Sequence, residues 1–238
     1  MEQIRKHTFV LVAGAWHGGW VWRDVMVHLR ERGHAVSAVT LTGLGERQHL
    51  GNQETDLSVH INDVISHIQM EGLEDVTLVG WSYGGAVVTG AAKKLSGLLR
   101  SIIYLDAFVP EAGKAVADYM PPERRIVLDD LRKAGKSLPP MPMAMFGVTD
   151  QSILDFVMPR LTPQPLATYF EAAHASEIEQ GIAIGYIYCS GYGETTMFTQ
   201  FYERLRRDAS VRTAEIDAGH LCMLSNAAET AEKLISLA

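Results

Sequence analysis

One pentapeptide in the chain has the residue types and the setting of a nucleophilic serine. Ser82 lies at the centre of Gly-Trp-Ser-Tyr-Gly, residues 80–84, which follows the apolar run 76–79 and precedes the helical run 86–92. A G-x-S-x-G sequence between a strand and a helix is typical of a nucleophile elbow, a tight turn that presents the serine above a sheet. Such a turn also leaves the backbone amide of Tyr83 free at a helix N-terminus, where it can bind an anion.

Two histidines follow Ser82 in the chain and are candidates for the base that a serine hydroxyl needs near neutral pH. His220 follows the apolar run 211–216 through a short loop, so we expect it above the carboxyl end of a strand, where Ser82 also points. His174 lies in a proline-rich stretch and is interpreted as a surface or packing residue. His220 is therefore the predicted base.

The turn after the first predicted strand, residues 13–20, is a candidate for the second half of an oxyanion hole. Gly14 permits close approach of the backbone, which would point the amide of Ala15 at a substrate carbonyl. The amide of Tyr83 would supply the other donor. His17 precedes the serine and is interpreted as bracing this turn through a hydrogen bond.

The alternation of strands and helices predicts the scaffold that positions these residues. The predicted strands are 8–12, 35–40, 76–80, 101–105, 183–189 and 211–216. The predicted helices are 20–31, 58–70, 85–98, 199–207 and 227–236. Continuous apolar strands separated by helices predict an α/β fold with a mostly parallel sheet covered on both faces.

The stretch from residue 110 to residue 181 breaks this alternation and contains all nine prolines. Clustered prolines predict short helices and loops that lie over the sheet. The same stretch is rich in methionine and aromatic residues, which favours a cap that lines an apolar pocket over a merely packed insertion. We therefore predict a single domain, residues 1–238, with this cap inserted. The predicted pocket residues are Gly14, Trp16, Trp81, Phe108, Met145, Phe146 and Leu221.

Composition and charge favour a small-molecule substrate. The 238 residues are 47% hydrophobic and 21% charged, a mix that supports a sizeable core and excludes a disordered chain. The net charge is −7 and basic residues form only short pairs, which disfavours nucleic acid as a partner. A homodimer is left open.

The cysteines, the N-terminal residues and the apolar runs predict a soluble, cytoplasmic protein. Cys189 and Cys222 lie among apolar residues without a metal-type spacing and are interpreted as buried free thiols. The first seven residues lack the features of a signal peptide. No apolar run approaches the length of a membrane span, so no membrane association is expected.

The chain resembles α/β-hydrolases of the plant methylesterase and hydroxynitrile lyase group and their bacterial relatives. The resemblance covers essentially the whole chain and rests on residues 9–12 with 14–20, 80–84, 104–110 and 219–220, and bacterial relatives often carry 41–47 as well. One departure is Ala13, where the family usually has a supporting histidine.

The resemblance implies the α/β-hydrolase fold and a role for each candidate residue. Ser82 would be the nucleophile, His220 the base, and the amides of Ala15 and Tyr83 the oxyanion donors. The implied reaction is acyl transfer through a covalent acyl-enzyme, followed by hydrolysis, with neither a metal nor an organic cofactor.

The chain departs from the plant enzymes at the acid of the triad. Those enzymes place an aspartate after the strand that corresponds to residues 183–189. Here that strand leads into residues 190–194, whose one carboxylate is that of Glu194. Asp217 precedes His220 by three residues, which is too close in the same loop for its side chain to reach Nδ1.

Asp106 is the predicted acid and Glu194 the alternative. Asp106 ends the predicted strand 101–105, so its carboxylate should emerge at the same edge as Ser82 and His220. A charged residue that closes an apolar strand needs a partner if it is to be buried. Some α/β-hydrolases keep their acid at this position. A role in supporting the cap through backbone hydrogen bonds is the other interpretation of this residue.

The leading hypothesis is a serine hydrolase that cleaves carboxylic esters of a small, mostly apolar substrate. An amidase or carbamate hydrolase would use the same residues. A hydroxynitrile lyase is disfavoured, because the plant lyases have a lysine and a threonine where this chain has Leu221 and Gly14. A ligand-binding receptor is disfavoured by the intact serine, histidine and oxyanion turn.

Overall fold

The protein is built on one parallel sheet, described here from a computed structural model that covers residues 6–173 and 181–238. The strands are β1 (Thr8–Val12), β2 (Ala35–Val39), β3 (Val76–Trp81), β4 (Leu99–Leu105), β5 (Ala183–Cys189) and β6 (Val211–Ile216). Their order across the sheet is β2-β1-β3-β4-β5-β6, and every neighbouring pair is parallel. The predicted fold class and all six predicted strands are confirmed, with β2 ending one residue earlier, β3 reaching one residue further and β4 beginning two residues earlier.

Helices cover the sheet. The α-helices in the described part of the chain are α1 (Arg23–Glu31), α2 (Leu57–Met70), α3 (Gly84–Ala92), α4 (Pro122–Lys133), α5 (Gln151–Val157), α6 (Ala167–Phe170), α7 (Thr199–Leu205), α8 (Cys222–Ser225) and α9 (Ala227–Leu237). Helix α1 packs against α9, and α2 packs against α3. The predicted helix 85–98 is divided, because α3 ends at Ala92 and the residues Lys93–Leu98 continue as a tighter 3-10 helix.

The centre of the sheet is buried on both sides, as expected for strands between helix layers. All six residues of β3 are buried, and so are all nine residues of α3. The helix following β3 is made almost entirely of small residues, which allows it to lie close to the strand. This close packing holds the turn between β3 and α3 in one position.

The segment between β4 and β5 lies outside the sheet and carries α4, α5 and α6. Pro121 and Pro122 begin α4, where the fixed φ of proline suits the first turn and no amide donor is lost. Two isolated antiparallel bridges, Ala115 with Ala172 and Leu138 with Gln164, tie the segment together. This segment is the cap that the prolines predicted, although its division from the core at residues 110 and 181 stays a prediction.

Candidate active site

Ser82 occupies the tight turn between β3 and α3 in a strained backbone conformation. Its φ is +55°, in the left-handed region that non-glycine residues rarely adopt. The amide of Ser82 donates to Leu105 O at 3.2 Å, and the amides of Phe108 and Gly85 each donate to Ser82 O at 3.1 Å. Such strain costs about 1–3 kcal/mol and persists only where the surroundings enforce it. Here the neighbouring strand β4 and the start of α3 enforce it.

Gly84 shows why the turn needs a glycine at this position. A Cβ atom there would lie 2.7 Å from Ala13 O and 2.8 Å from Val12 O. Backbone atoms cannot yield as a flexible side chain can, so any larger residue would push α3 away from β1. The second glycine of the pentapeptide therefore sets the height of the serine above the sheet.

His220 and Asp106 form a buried hydrogen-bonded pair. The Nδ1 atom of His220 donates to Oδ2 of Asp106 at 2.7 Å, and the two residues are 2% and 0% exposed. The hydroxyl of Tyr192 also donates to Oδ2, at 2.7 Å, and the amide of Cys189 donates to Oδ1 at 3.4 Å. The carboxylate thus accepts three hydrogen bonds, which compensates for its removal from water.

The imidazole ring of His220 is held by aromatic neighbours. It stacks on Phe198, with ring centroids 4.7 Å apart, and on Phe146, with centroids 5.1 Å apart. The amide of His220 donates to Phe146 O at 2.9 Å, and its carbonyl accepts from Nε1 of Trp81 at 3.0 Å. Because its backbone, ring faces and Nδ1 are all engaged, the orientation of Nε2 is determined.

The other candidate carboxylates are exposed. Glu194 and Asp217 both lie at the surface, whereas Asp106 contacts His220 directly. The loop after β5, where the plant enzymes keep their acid, supplies instead the Tyr192 hydroxyl that donates to Asp106. Burial, and then the nearby charge of Asp106, raises the pKa of Tyr192, so this hydroxyl keeps its proton. Tyr192 was not among the predicted site residues, since a tyrosine between two glycines carries no signal for this contact.

The amides of Ala15 and Tyr83 are free to bind an oxyanion. Within residues 6–173 and 181–238, neither amide donates to a protein acceptor. Nδ1 of His17 donates to Ala15 O at 2.7 Å, which is the bracing bond predicted for that residue. Burial lowers the pKa of His17 to about 4, so its ring is neutral near pH 7.

The side chain of Tyr83 anchors the residue that follows the nucleophile. Nε2 of His60 donates to Thr42 O at 2.8 Å, so Nδ1 of His60 accepts from the Tyr83 hydroxyl at 3.0 Å. The Tyr83 ring stacks on Tyr169, with centroids 5.7 Å apart and planes 4° from parallel. His60 is fully buried, and this burial lowers its pKa to about 4.

The cap holds the oxyanion turn through Trp16. This residue has a φ of +67°, its amide donates to Oε1 of Gln164 at 3.3 Å, and its carbonyl accepts from the amide of Thr162 at 3.0 Å. Nε1 of Trp16 donates to Leu138 O at 3.1 Å. The buried Gln164 also donates through Nε2 to the hydroxyl of Thr168 at 2.9 Å. Three cap residues therefore fix the residue next to Ala15.

A narrow apolar pocket lies over Ser82, between the core and the cap. Its volume is about 20 Å³, so the pocket is nearly closed. Its lining is Trp16, Ser82, Phe108, Met120, Arg124, Leu128, Leu138, Met141, Phe146, Tyr169 and Met197. Three of the predicted pocket residues, Trp16, Phe108 and Phe146, are among them. Flexible methionines in the wall can change rotamer to admit a substrate.

Met145 was predicted to line the pocket but points to solvent, with 59% of its surface exposed. It lies in a 3-10 helix, Met143–Phe146, in which residues three apart share a face. Met143 and Phe146 occupy the buried face, and Met145 is therefore turned outward. The composition of the cap predicted its apolar character but not which residues face inward.

Three further predicted pocket residues lie beside the pocket instead of lining it. Gly14 lies behind the nucleophile, where an added Cβ would be 2.7 Å from the Cβ of Ser82. Trp81 is buried under the site and supports His220. Leu221 is buried and faces a separate hollow on the other side of its loop. All three predictions followed from adjacency in sequence, which does not determine side-chain direction.

Several other sequence predictions concern features outside the pocket. His174 lies outside the described residues. Cys189 and Cys222 are buried free thiols, as predicted. Among residues 6–173 and 181–238 there is no cluster of side chains suited to hold a metal ion. In the same ranges no helix has the length and apolar character needed to cross a membrane. The cytoplasmic location and the homodimer stay predictions.

The chain is similar in sequence and in fold to known hydrolases. Residues 9–233 match the model of the "Alpha/beta hydrolase family". A carbendazim hydrolyzing esterase of Nocardioides sp. (strain SG-4G) is 38% identical over 97% of this chain and 99% of its own length. An alpha-hydroxynitrile lyase of Arabidopsis thaliana is 32% identical over 45% of this chain and 42% of its length. An extracellular alpha/beta-hydrolase from a Paenibacillus species superposes with a TM-score of 0.83 over 97% of this chain and 98% of its own, at 22% identity.

Proposed function

The chain belongs to the alpha/beta hydrolase family, and on that premise we propose that Ser82, His220 and Asp106 form its catalytic triad. The protein is an ester-cleaving serine hydrolase. The observation that carries the assignment of residues is the 2.7 Å hydrogen bond from His220 to the buried Asp106, at the sheet edge that also carries the strained Ser82.

The proposed reaction begins with attack by the Ser82 hydroxyl oxygen on the carbonyl carbon of the ester. Nε2 of His220 accepts the serine proton, and Asp106 stabilises the resulting imidazolium through Nδ1. The negative charge that develops on the carbonyl oxygen is stabilised by the amides of Ala15 and Tyr83. These donors are fixed before the substrate arrives, so no reorganisation is needed as the charge develops.

Collapse of the tetrahedral intermediate breaks the bond to the alcohol. His220 returns its proton to the leaving alkoxide, which departs as the alcohol and leaves an acyl group on Ser82. His220 then accepts a proton from water as the water attacks this acyl group. Collapse of the second tetrahedral intermediate breaks the bond between the acyl carbon and the Ser82 oxygen. His220 returns its proton to that oxygen, and the carboxylic acid is released.

Carbamate hydrolysis is a second activity that one observation favours. The relative with 38% identity over nearly the full length of both chains is a carbendazim hydrolyzing esterase. A carbamate carbonyl is attacked by the same residues in the same order, and only the group attached to the carbonyl differs. We therefore propose carbamate esters as alternative substrates, with carbendazim itself as the first to test.

Cyanohydrin cleavage is disfavoured by the surroundings of His220. Its ring is stacked between Phe146 and Phe198, and the next residue, Leu221, faces away from the pocket. The position of the lyase lysine is therefore taken by an apolar side chain, which cannot stabilise cyanide as it leaves. Cyanide release from mandelonitrile that exceeds ester turnover would contradict this proposal.

A substrate panel with a matched inactive variant tests the proposed function. The panel contains p-nitrophenyl esters, anilides, carbamates including carbendazim, and mandelonitrile, each with the wild type and with Ser82→Ala. We expect the wild type to hydrolyse esters and the variant not to do so. We also expect a fluorophosphonate to form an adduct on Ser82 of the wild type and none on the variant. Equal ester turnover by both proteins, or equal labelling, would exclude Ser82 as the nucleophile.

A further inference from the structure

The substrate pocket has two polar side chains besides Ser82, and together they form what we call the polar corner, Arg124 and Tyr169. Arg124 lies on α4, one turn before Leu128 of the same pocket wall, and Tyr169 lies on α6. The remaining lining residues are aromatic residues, leucines and methionines. The one further polar group among them, the indole nitrogen of Trp16, already donates to Leu138 O. The polar corner therefore stands out in an otherwise apolar wall.

Neither group of the polar corner has a hydrogen-bond or ion-pair partner among residues 6–173 and 181–238. The adjacent Arg125 differs, because it pairs with Asp118 at 2.8 Å and with Asp129 at 3.4 Å. Tyr169 is only 5% exposed, whereas Arg124 is half-buried. Burial raises the pKa of Tyr169, against the smaller opposing effect of the charge of Arg124, so the hydroxyl keeps its proton and can donate to an acceptor.

A substrate that fills this pocket excludes water from the Tyr169 hydroxyl and from the inner side of the half-buried Arg124. A wholly apolar substrate would offer neither group an acceptor, and buried donors without acceptors are unfavourable. A substrate that carries an acceptor oxygen would satisfy both. Guanidinium binds carboxylate with particularly favourable geometry, because its N–H groups match the two oxygens.

We propose that the preferred substrate is an ester with an apolar body and a second, non-reacting oxygen acceptor, in its strongest form a carboxylate, bound by Arg124 and Tyr169. This inference rests on the proposed esterase function of the same pocket. Ser82 acts on the scissile carbonyl, while the polar corner selects the group elsewhere on the molecule. Neither residue takes part in bond cleavage.

Pairs of substrates that differ only in the second group test the inference. Monomethyl terephthalate and monomethyl isophthalate carry a carboxylate where methyl 4-methylbenzoate and methyl 3-methylbenzoate carry a methyl group. For at least one ring position, we expect the wild type to have a kcat/KM about 10- to 100-fold higher for the carboxylate ester, as hydrogen bonds to a charged group provide. Arg124→Met should bring this ratio close to one, and Tyr169→Phe should lower it by a smaller factor.

Arg125→Met is the matched control, because it removes the same charge from the same helix at a position outside the pocket lining. It should keep both the ratio and the turnover of the wild type. A wild-type ratio near one at both ring positions would overturn the proposal, and so would an unchanged ratio in Arg124→Met. Equal loss of the ratio in Arg125→Met would attribute selectivity to general charge and would also overturn it.

Binding separates a failure of this inference from a failure of the proposed function. If the wild type hydrolyses none of the four esters, esterase action on this class is refuted, and the same pairs are compared by calorimetry on Ser82→Ala. Tighter binding of a carboxylate ester by about tenfold, lost in Ser82→Ala/Arg124→Met, supports the polar corner on its own. Equal affinities within each pair refute it.

Discussion

Replacing Asp106 by asparagine is expected to remove most of the turnover while leaving the fold intact. The carboxylate oxygen lies 2.7 Å from Nδ1 of His220, and the two delocalised charges are centred about 4 Å apart once the histidine is protonated. At that separation, with an effective dielectric constant of about 20, their attraction is about 4 kcal/mol, which corresponds to about 10³-fold in rate. If the new amide nitrogen faces Nδ1, the histidine is also held in the wrong tautomer, and a loss of about 10⁴-fold is expected.

The assay compares kcat and KM for a p-nitrophenyl ester with the midpoint of urea unfolding. We expect the loss in kcat, little change in KM, and an unfolding midpoint close to that of the wild type, because asparagine fills the same volume. Glu194→Gln makes the same chemical change at an exposed carboxylate and should keep turnover within about twofold of the wild type. Tyr192→Phe removes the other short donor to Oδ2 and should cost about 10- to 100-fold, since a hydrogen bond to the ionised carboxylate is lost.

The same assays also define the results that would refute this reasoning. If Asp106→Asn keeps turnover within tenfold of the wild type, the carboxylate does not stabilise the imidazolium. If Glu194→Gln is then the variant that loses turnover, Glu194 is the acid and the loop after β5 rearranges in solution. Loss of turnover together with a lower unfolding midpoint in Asp106→Asn would instead show that Asp106 supports the structure.

Three further predictions follow from other parts of the site. Ser82→Ala should lose turnover by several orders of magnitude, and adding His220→Ala should cost little more, because the pair acts as a unit; additive losses in steady-state assays would contradict this. Gly14→Ala should lower kcat by about 10- to 100-fold, because the new Cβ would lie 2.7 Å from the Cβ of Ser82. Gly97→Ala is the control, because its new Cβ meets open space, and it should match the wild type in the same assay. The pKa of His60 is lowered to about 4 in the folded chain, so below about pH 6.5 the unfolded chain binds a proton that the folded chain does not, and stability falls as the pH drops from 6.5 towards 4. His60→Gln should remove about 2 kcal/mol of the stability that the wild type loses between pH 7 and pH 5, measured by urea unfolding at each pH. An equal loss of stability over this pH range in both proteins would disprove the prediction.

The parts of the site that follow from local sequence were predictable. Ser82 lies in a strand–turn–helix setting that leaves its backbone little choice, and all six strands were recognisable from their apolar runs. Asp106 could be nominated because a charged residue at the end of an apolar strand must find a partner if it is buried. The structure places that carboxylate against His220, 114 residues further along the chain.

The parts that depend on tertiary packing were not predictable. Tyr192 donates to a carboxylate 86 residues earlier in the chain, and Gln164 binds the amide of Trp16, 148 residues away. Neither residue belongs to a recognisable motif. Which side chains of Met143–Phe146 face inward depends on the 3-10 helix that this segment forms. The spacing of three residues per turn cannot be recognised in four residues of similar apolar character. Distant contacts and short irregular helices therefore set the limit of the sequence prediction.

The hydrogen bonds between three cap residues and Trp16 constrain how the specificity of this enzyme can be re-engineered. Transplanting a complete cap from a relative would change the wall of the pocket, but it would also replace the groups that hold Trp16, which are the carbonyl of residue 138, the amide of residue 162 and the side chain of Gln164. A chimera without that trio would bind a new substrate beside a misaligned oxyanion turn. Exchanging individual wall residues such as Met120 or Met197, with the backbone of the cap retained, alters the shape of the pocket. It leaves Trp16 and the oxyanion turn in their positions relative to Ser82.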